Sequence, residues 1–392
     1  MKLTRVTLSI LTLIAANQAF ADVETELGTL NADFRLRYES VDQDNALKDA
    51  SALTLRSLGN FKTKTFAGVS AFIELENTLA VIDDYNNGIG DGTEYSVVAD
   101  PESTEIDQLY LAYNTEQFSA KLGRQVITLD NHRFVGHVGW RQDKQTFDAF
   151  SARYEKDAIN ASYAYINKRN RIFADEKDLD SKDHLFNASL KTDFGKLIAY
   201  GYLLEVDNNT ENSLDTYGVR LVGKKNVAEL PVSYSAEYAL QSNDSGANSY
   251  DTQYLLLESS VTYRDITYKL GYESLGSDKG EQAFQTPLAT LHKFNGWADQ
   301  FLTTPAAGLQ DLYASLSGNA FSGKWSLVYH TYSADESLAG DDDLGSEFDV
   351  VYSKSFNKQY SLGLKYAAYM ACDEAFAKVD TNKLWVWVGA KF

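Results

Sequence analysis

Apolar and polar residues alternate along this chain with a period of two. Leu30, Ala32, Phe34, Leu36 and Tyr38 share one parity, while Asn31, Asp33, Arg35, Arg37 and Glu39 share the other. The pattern returns in Val69, Ala71, Ile73 and Leu75 against Ser70, Glu74 and Glu76, and in Phe186, Ala188 and Leu190 against Asn187, Ser189 and Lys191. It recurs in Val232, Tyr234, Ala236, Tyr238 and Leu240 against Ser233, Ser235 and Glu237, and in Leu362, Leu364, Tyr366 and Ala368 against Ser361, Gly363 and Lys365. Successive side chains of a strand point to opposite faces, so each segment predicts a strand with one apolar and one polar face. A soluble sandwich also alternates, but seldom through a whole chain.

The links between these segments come in two lengths. Short ones at 62–65, 155–158, 193–196, 264–265 and 357–359 interleave with longer polar ones at 41–50, 79–104, 128–145, 170–183, 276–308, 334–346 and 372–381. Short periplasmic turns on one rim and long extracellular loops on the other predict an all-β fold, a transmembrane antiparallel β-barrel. Counting each alternating segment once gives about 18 strands, an even number as this class requires. Segments 197–206 and 325–334 carry apolar residues on both parities, which leaves the count open by one hairpin.

Composition agrees with strands and turns. Tyr 25, Phe 20 and Gly 25 stand against Pro 4 and Met 2, a balance that disfavours a helix-rich enzyme. Cys372 is the one cysteine, so an internal disulfide framework and a Cys-based zinc site are both excluded. A net charge of -19 repels polyanions and argues against nucleic acid as a partner.

The N-terminus predicts the compartment. Lys2 and Arg5 precede the mostly apolar run 6–16, and Ala19-Phe20-Ala21 supplies a small-x-small site. Together they read as a secretory signal peptide over 1–21, leaving 22–392 as one barrel domain. An uncleaved anchor is the alternative, but the apolar run is shorter than the ~20 residues of a spanning helix. Cleavage removes Lys2 and Arg5 and takes the net charge from -19 to about -21. Strands satisfy their backbone in lipid only by closing into a barrel, which points to the outer membrane of a Gram-negative bacterium, with its lipid and lipopolysaccharide as surroundings.

The last segment alternates Leu384, Val386, Val388, Ala390 and Phe392 with Trp385, Trp387, Gly389 and Lys391. It resembles the C-terminal signature of bacterial outer-membrane proteins, whose terminal Phe is read by the barrel-insertion machinery. A second resemblance lies at 123–154. Gly123-Arg124-Gln125 is followed by Asp130-Asn131-His132-Arg133-Phe134-Val135-Gly136, then Gly139-Trp140-Arg141-Gln142, then Gln145-Thr146-Phe147-Asp148. This is similar to the strand-loop-strand motif of the alginate-export family of outer-membrane porins. The resemblance implies a monomeric 18-stranded barrel with a narrow, Arg-rich pore that passes an anionic polysaccharide. Porins for other small solutes also occur among relatives of such families, so the substrate is not carried over.

Taken residue by residue, the same segment predicts a loop folded into the lumen. Gly136 and Gly139 would let it bend sharply and Trp140 would anchor it on the inner wall. Arg124, Arg133, Arg141 and Arg153 would line a constriction, where guanidinium forks meet carboxylate or phosphate groups of a solute. Asp130 and Asp148 would position those arginines or oppose their field. The alternative is that these charges only form ion pairs that hold the loop. Arg124 shares the parity of Phe118, Ala120 and Leu122, so it reaches the lumen only through a bulge or from above the membrane.

Parity places Arg35, Arg37, Arg56, Lys121, Lys191, Arg220, Lys269 and Lys365 on the lumen wall with Glu39, Glu74, Glu76, Glu237, Glu258 and Glu273. The negative excess falls mainly in loops: Asp335, Glu336, Asp341-Asp342-Asp343 and Glu347 in one, Asp83-Asp84, Asp91 and Glu94 in another. Such loops either bind divalent cations such as Ca2+ or are simply solvated; neither has EF-hand spacing. No cofactor is implied. His132, His137, His184, His292 and His330 fall in no hydrolase or metalloprotease motif and are expected at the surface or in loops, although a Ser-His pair involving His330 stays open. The expected function is a porin: passive diffusion of small hydrophilic solutes, anionic or saccharide, past an Arg-containing constriction. A polysaccharide export conduit, a plugged structural barrel and a barrel hydrolase are the alternatives.

Overall fold

The alternating segments pair in chain order. In a computed structural model, residues 23–207, 212–244, 249–372 and 374–392 are described; the predicted signal peptide lies outside them. Among the described residues eighteen strands form the barrel wall. They are β1 Gly28–Gln43, β2 Ala50–Thr63, β3 Val69–Asp84, β4 Ser103–Asn114, β5 Phe118–Gln125 and β6 Thr146–Lys156. Then come β7 Ile159–Asn170, β8 Leu179–Thr192, β9 Gly195–Val206, β10 Asn212–Val227, β11 Leu230–Asp244 and β12 Ser249–Tyr263. Next are β13 Ile266–Leu275, β14 Leu309–Ala320, β15 Gly323–Leu338, β16 Asp341–Phe356, β17 Tyr360–Met370 and β18 Thr381–Lys391. Each pairs antiparallel with the next, and β18 returns to β1 through Phe34 opposite Ala390 and Leu36 opposite Val388. Closure removes the sheet edge and satisfies the backbone.

The two parities separate as expected. Leu75, Leu111, Leu122, Val219, Leu240, Leu270, Leu364 and Val388 are exposed on the outside, the face that lipid covers. On the inside Arg37, Arg56, Glu39, Glu74, Glu76, Glu237, Glu273 and Lys365 are buried. The interior is packed because two loops, 126–145 and 276–308, fold into it. Val135, Phe284, Leu288 and Phe301 of those loops share one buried cluster with wall residues Tyr200, Tyr254 and Trp385.

That packing resolves the two ambiguous segments. Residues 197–206 lie in β9, whose inward Ile198, Tyr200, Tyr202 and Leu204 are apolar because they cover the in-folded loops. Residues 325–334 lie in β15, where inward Tyr332 and Ala334 do the same. The long loop expected at 334–346 is not one. β15 runs to Leu338 and β16 starts at Asp341, joined by Ala339 and Gly340 in left-handed backbone, with register shifts near Ser333. Acidic residues that read as loop are there a hairpin extending past the apolar belt.

Candidate functional site

Loop 126–145 follows β5 and crosses into the lumen, where it lies against loop 276–308. Val135 and Leu288 form a parallel bridge. The Gly136 amide donates to the Leu288 carbonyl at 2.8 Å, and the Thr290 amide to the His132 carbonyl at 3.0 Å. Gly136 is needed for this approach rather than for a bend, since a Cβ there would sit 2.2 Å from the Thr290 hydroxyl oxygen. Positive φ falls instead on Asp130, His132 and Val138. For the β-branched Val138 such a conformation costs about 1–3 kcal/mol and persists only because the surroundings hold it.

The second half of the loop meets charge. The Arg141 guanidinium donates to the Glu39 carboxylate at 3.0 Å and to Asp299 of the other loop at 3.1 Å. Arg37 of β1 bonds the Trp140 carbonyl and Asp100, a residue of loop 85–102 that also accepts from the Gln142 amide at 2.8 Å. Arg35 grips the same turn through Gln142 at 2.9 Å and the Gly139 carbonyl at 3.2 Å. Lys144 joins Glu74, at 2.6 Å, to Asp107. Trp140 stacks on His292 at 4.8 Å and meets Trp385 and Trp387 edge-on, the anchoring role expected of it.

His292 shows how tightly these charges are set. Its Nε2 lies 2.7 Å from the Lys365 ammonium and its Nδ1 2.6 Å from Asp299. Only the neutral ring with its proton on Nδ1 accepts from lysine and donates to aspartate at once. Burial, with Lys365 adding to it, pushes the imidazole pKa down to about 3 although Asp299 opposes the shift. Burial would raise Asp299, but the hydrogen-bonding His292 and the cations Lys383 and Arg141 hold its carboxyl well below the ordinary range.

The first half of the loop meets rings. Phe134 packs against Tyr200, Tyr202, Tyr254 and Phe284 at centroid distances of 5.2, 6.0, 5.3 and 5.9 Å. One ion pair lies beside them: Arg133 donates to Glu273 at 2.7 Å, to Thr286 at 3.1 Å and to Asn295 at 3.1 Å, with its guanidinium 4.9 Å from the Phe294 ring.

The six residues expected at a constriction therefore do not form one ring. Arg133 and Arg141 are inside the barrel but buried in ion pairs. Arg124 and Asp148 form a pair at 2.8 Å on the outer face; Arg124 stands opposite Leu109, and no register shift turns it inward. Arg153 is luminal but near the turn rim, paired with Glu155 at 2.9 Å. Asp130 bonds Asn187 at 2.7 Å on the wall. Of the histidines expected at the surface or in loops, His292 lies in loop 276–308 as expected, and His330 stands instead on strand β15. His292 and His330 are buried, and both ring nitrogens of His330 face carboxylates, Asp311 at 2.8 Å and Asp349 at 3.8 Å. Glu347, grouped with an acidic loop by sequence, is buried inside and accepts from the Ala298 amide.

Among the described residues the lumen holds cavities on both sides of the in-folded loops. On the loop side one of about 530 Å³ is lined by Arg169, Arg171, Leu204, Leu214, Tyr250, Gln285 and Leu291, with no Asp or Glu among its described lining residues. Arg169 is bidentate to the buried Asp183 at 2.7 and 2.8 Å, whereas the Arg171 guanidinium lies 5.7 Å from the Phe173 ring. On the turn side one of about 340 Å³ has Lys121, Arg153 and Lys196 against Asp130. Another of about 290 Å³ has Arg220, Lys269 and Lys293 balanced by Glu258, Glu273 and Asp311. Sequence reasoning missed Arg171, Asp100, His292 and Asp299, all in loops where no parity marks the inward residue.

The profile of the alginate export family matches residues 25–273. No curated protein sequence matches the chain. In fold it is similar to Acinetobacter baumannii OccAB4, with TM-score 0.74 and 13% identity over 95% of this chain and 100% of that one. It is similar to Pseudomonas aeruginosa OpdK solved with vanillate, with TM-score 0.71 and 12% identity over 93% of this chain and 98% of that one. It is also similar to a BenF-like porin from Pseudomonas fluorescens Pf-5, with TM-score 0.71 and 11% identity over 93% and 99%.

Proposed function

Since the chain belongs to the alginate export family, and its closed barrel resides in the outer membrane of a Gram-negative bacterium, we propose that it is a passive channel for small organic anions. The observation that carries this reading is the loop-side cavity. In a chain of net charge -19 it is lined by two arginines and apolar side chains, without a carboxylate among its described lining residues. A carboxylate on a small apolar body suits such a lining, with Arg171 as the guanidinium that meets it. Arg133 and Arg141 act differently in this reading. Buried in ion pairs, they set the bore by holding the loops, and the cations facing the cavities select the solute. Lys121, Lys196 and Lys293 would extend the favourable potential toward the turn side.

Cavity size favours a small solute over a polymer. Volumes of about 290 to 530 Å³ match single small molecules, and two cross-linked loops stand across any route for a polysaccharide chain. The vanillate bound to OpdK makes an aromatic carboxylate a reasonable probe. In a planar bilayer the protein should give stepwise currents with anion selectivity, and vanillate should reduce them. Arg171→Ala should shift the reversal potential toward cations and weaken the block. Currents blocked by uronate oligomers but indifferent to vanillate would sink this reading in favour of export.

A further inference from the structure

The wall beside the charged half of loop 126–145 carries more buried negative charge than its cations offset. Glu74 and Glu76 of β3 face Asp107 and Glu105 of β4, and Asp143 descends on them from the loop. Asp107 is there because the register shifts at Glu74/Leu75, turning it and Gln108 both inward. Lys144 binds Glu74 and Asp107 and goes no further. Glu76 is 1% exposed and neither of its carboxylate oxygens has a hydrogen-bond partner. One rung on, the facing hydroxyls of Thr78 and Ser103 are also buried and without partners.

A buried ionised carboxylate with two unpartnered oxygens costs several kcal/mol until a proton neutralises it or a cation meets it. Here the geometry is that of a cation's donors. One oxygen each from Glu76, Asp107 and Asp143 lie within 4.8 Å of one another. Oxygens sharing one Ca2+ at about 2.4 Å lie no more than about 4.8 Å apart. All the donors are hard oxygens, with no His or Cys among them, which selects Ca2+ or Mg2+ over zinc or copper.

We propose that Glu76, Asp107 and Asp143 bind a divalent cation, Ca2+ by donor type and spacing, and that this ion staples loop 126–145 to the β3–β4 wall. The carboxylates come from two wall strands and the loop, so the ion joins parts that the backbone does not. The site is distinct from the exposed acidic residues Asp341 and Asp342, which have no such enclosure.

The test uses the full mature chain refolded in detergent without lipopolysaccharide and stripped with a chelator, then titrated calorimetrically with CaCl2. One equivalent of Ca2+ should bind, and Asp143→Asn and Glu76→Gln should each weaken binding by about tenfold or more. Binding undiminished in both variants would assign the ion to the external acidic loops and overturn the proposal, as would no binding at all. Native mass spectrometry of the unmutated protein removes any dependence on variant folding: a mass of one Ca2+ per chain, lost with EGTA, supports the site, and an unchanged mass overturns it. Neither readout involves current, so its failure is separate from failure of the channel reading.

Discussion

The two halves of loop 126–145 enter one lumen and are held there by different physics. Around Phe134 the contacts are rings and aliphatic groups, with Arg133–Glu273 as a single ion pair. Around Arg141 nearly every contact is charged: Glu39, Asp299, Asp100, Arg37 and, three residues on, Lys144 with Glu74 and Asp107. The facing walls differ in the same sense, apolar along inward β9 and ionic along inward β1. The aromatic half loses contacts in proportion to what is removed. Deletion of one partner in the charged half strands several others in a buried setting, so that half is the more sensitive to substitution and to pH.

Arg141→Ala should have the largest effect. It leaves Glu39 and Asp299 short of a partner, and breaking a buried pair costs about 3–5 kcal/mol. Unfolding of the barrel in lipid vesicles and protease cleavage within 126–145 measure it; a loss below about 1 kcal/mol would place the pair among surface-like interactions. Phe134→Ala should cost about 2 kcal/mol, below a fully buried Phe because the ring is only partly covered. Its cost should be the same at pH 5 and pH 7, and a pH-dependent cost would blur the division between the halves.

His292 gives the pH dependence. Its folded pKa of about 3 lies below the unfolded value of 6.5, so between them the unfolded chain binds more protons than the folded one. Stability is full above about 6.5 and falls with acidification, by at most about 1.4 kcal/mol per pH unit. The slope between pH 6.5 and 5 should flatten in His292→Gln; an unchanged slope would move the titration elsewhere. Arg124→Ala should do least. Its partly exposed outer-face pair with Asp148 is worth less than about 1 kcal/mol, and its removal should leave ion selectivity unaltered.

Much of the wall was legible in the sequence because lipid imposes one rule on alternate residues. The loop at 276–308 and the turn at 264–265 match the structure residue for residue. Parity failed where something other than lipid or water covers a strand: β9 is apolar inside because Phe134 lies on it, and Asp335 to Asp343 are polar within a hairpin that continues above the belt. The site was legible only in part. An inward loop with an anchoring Trp140 followed from the reading of the segment, and parity put Glu39 on the lumen wall, but the second partner of Arg141 is Asp299, 158 residues away in another loop. No local spacing connects them. Arg124 was expected in the constriction although its parity pointed outward, and with no register shift to turn it the structure follows the parity.

The most direct test is the single-channel current of Arg141→Ala beside the unmutated protein in the same bilayer. If the charged half of the loop sets the bore, the unmutated channel gives small, discrete steps and the variant gives larger, noisier ones with weaker anion selectivity. Identical step size and selectivity in the two proteins would contradict it.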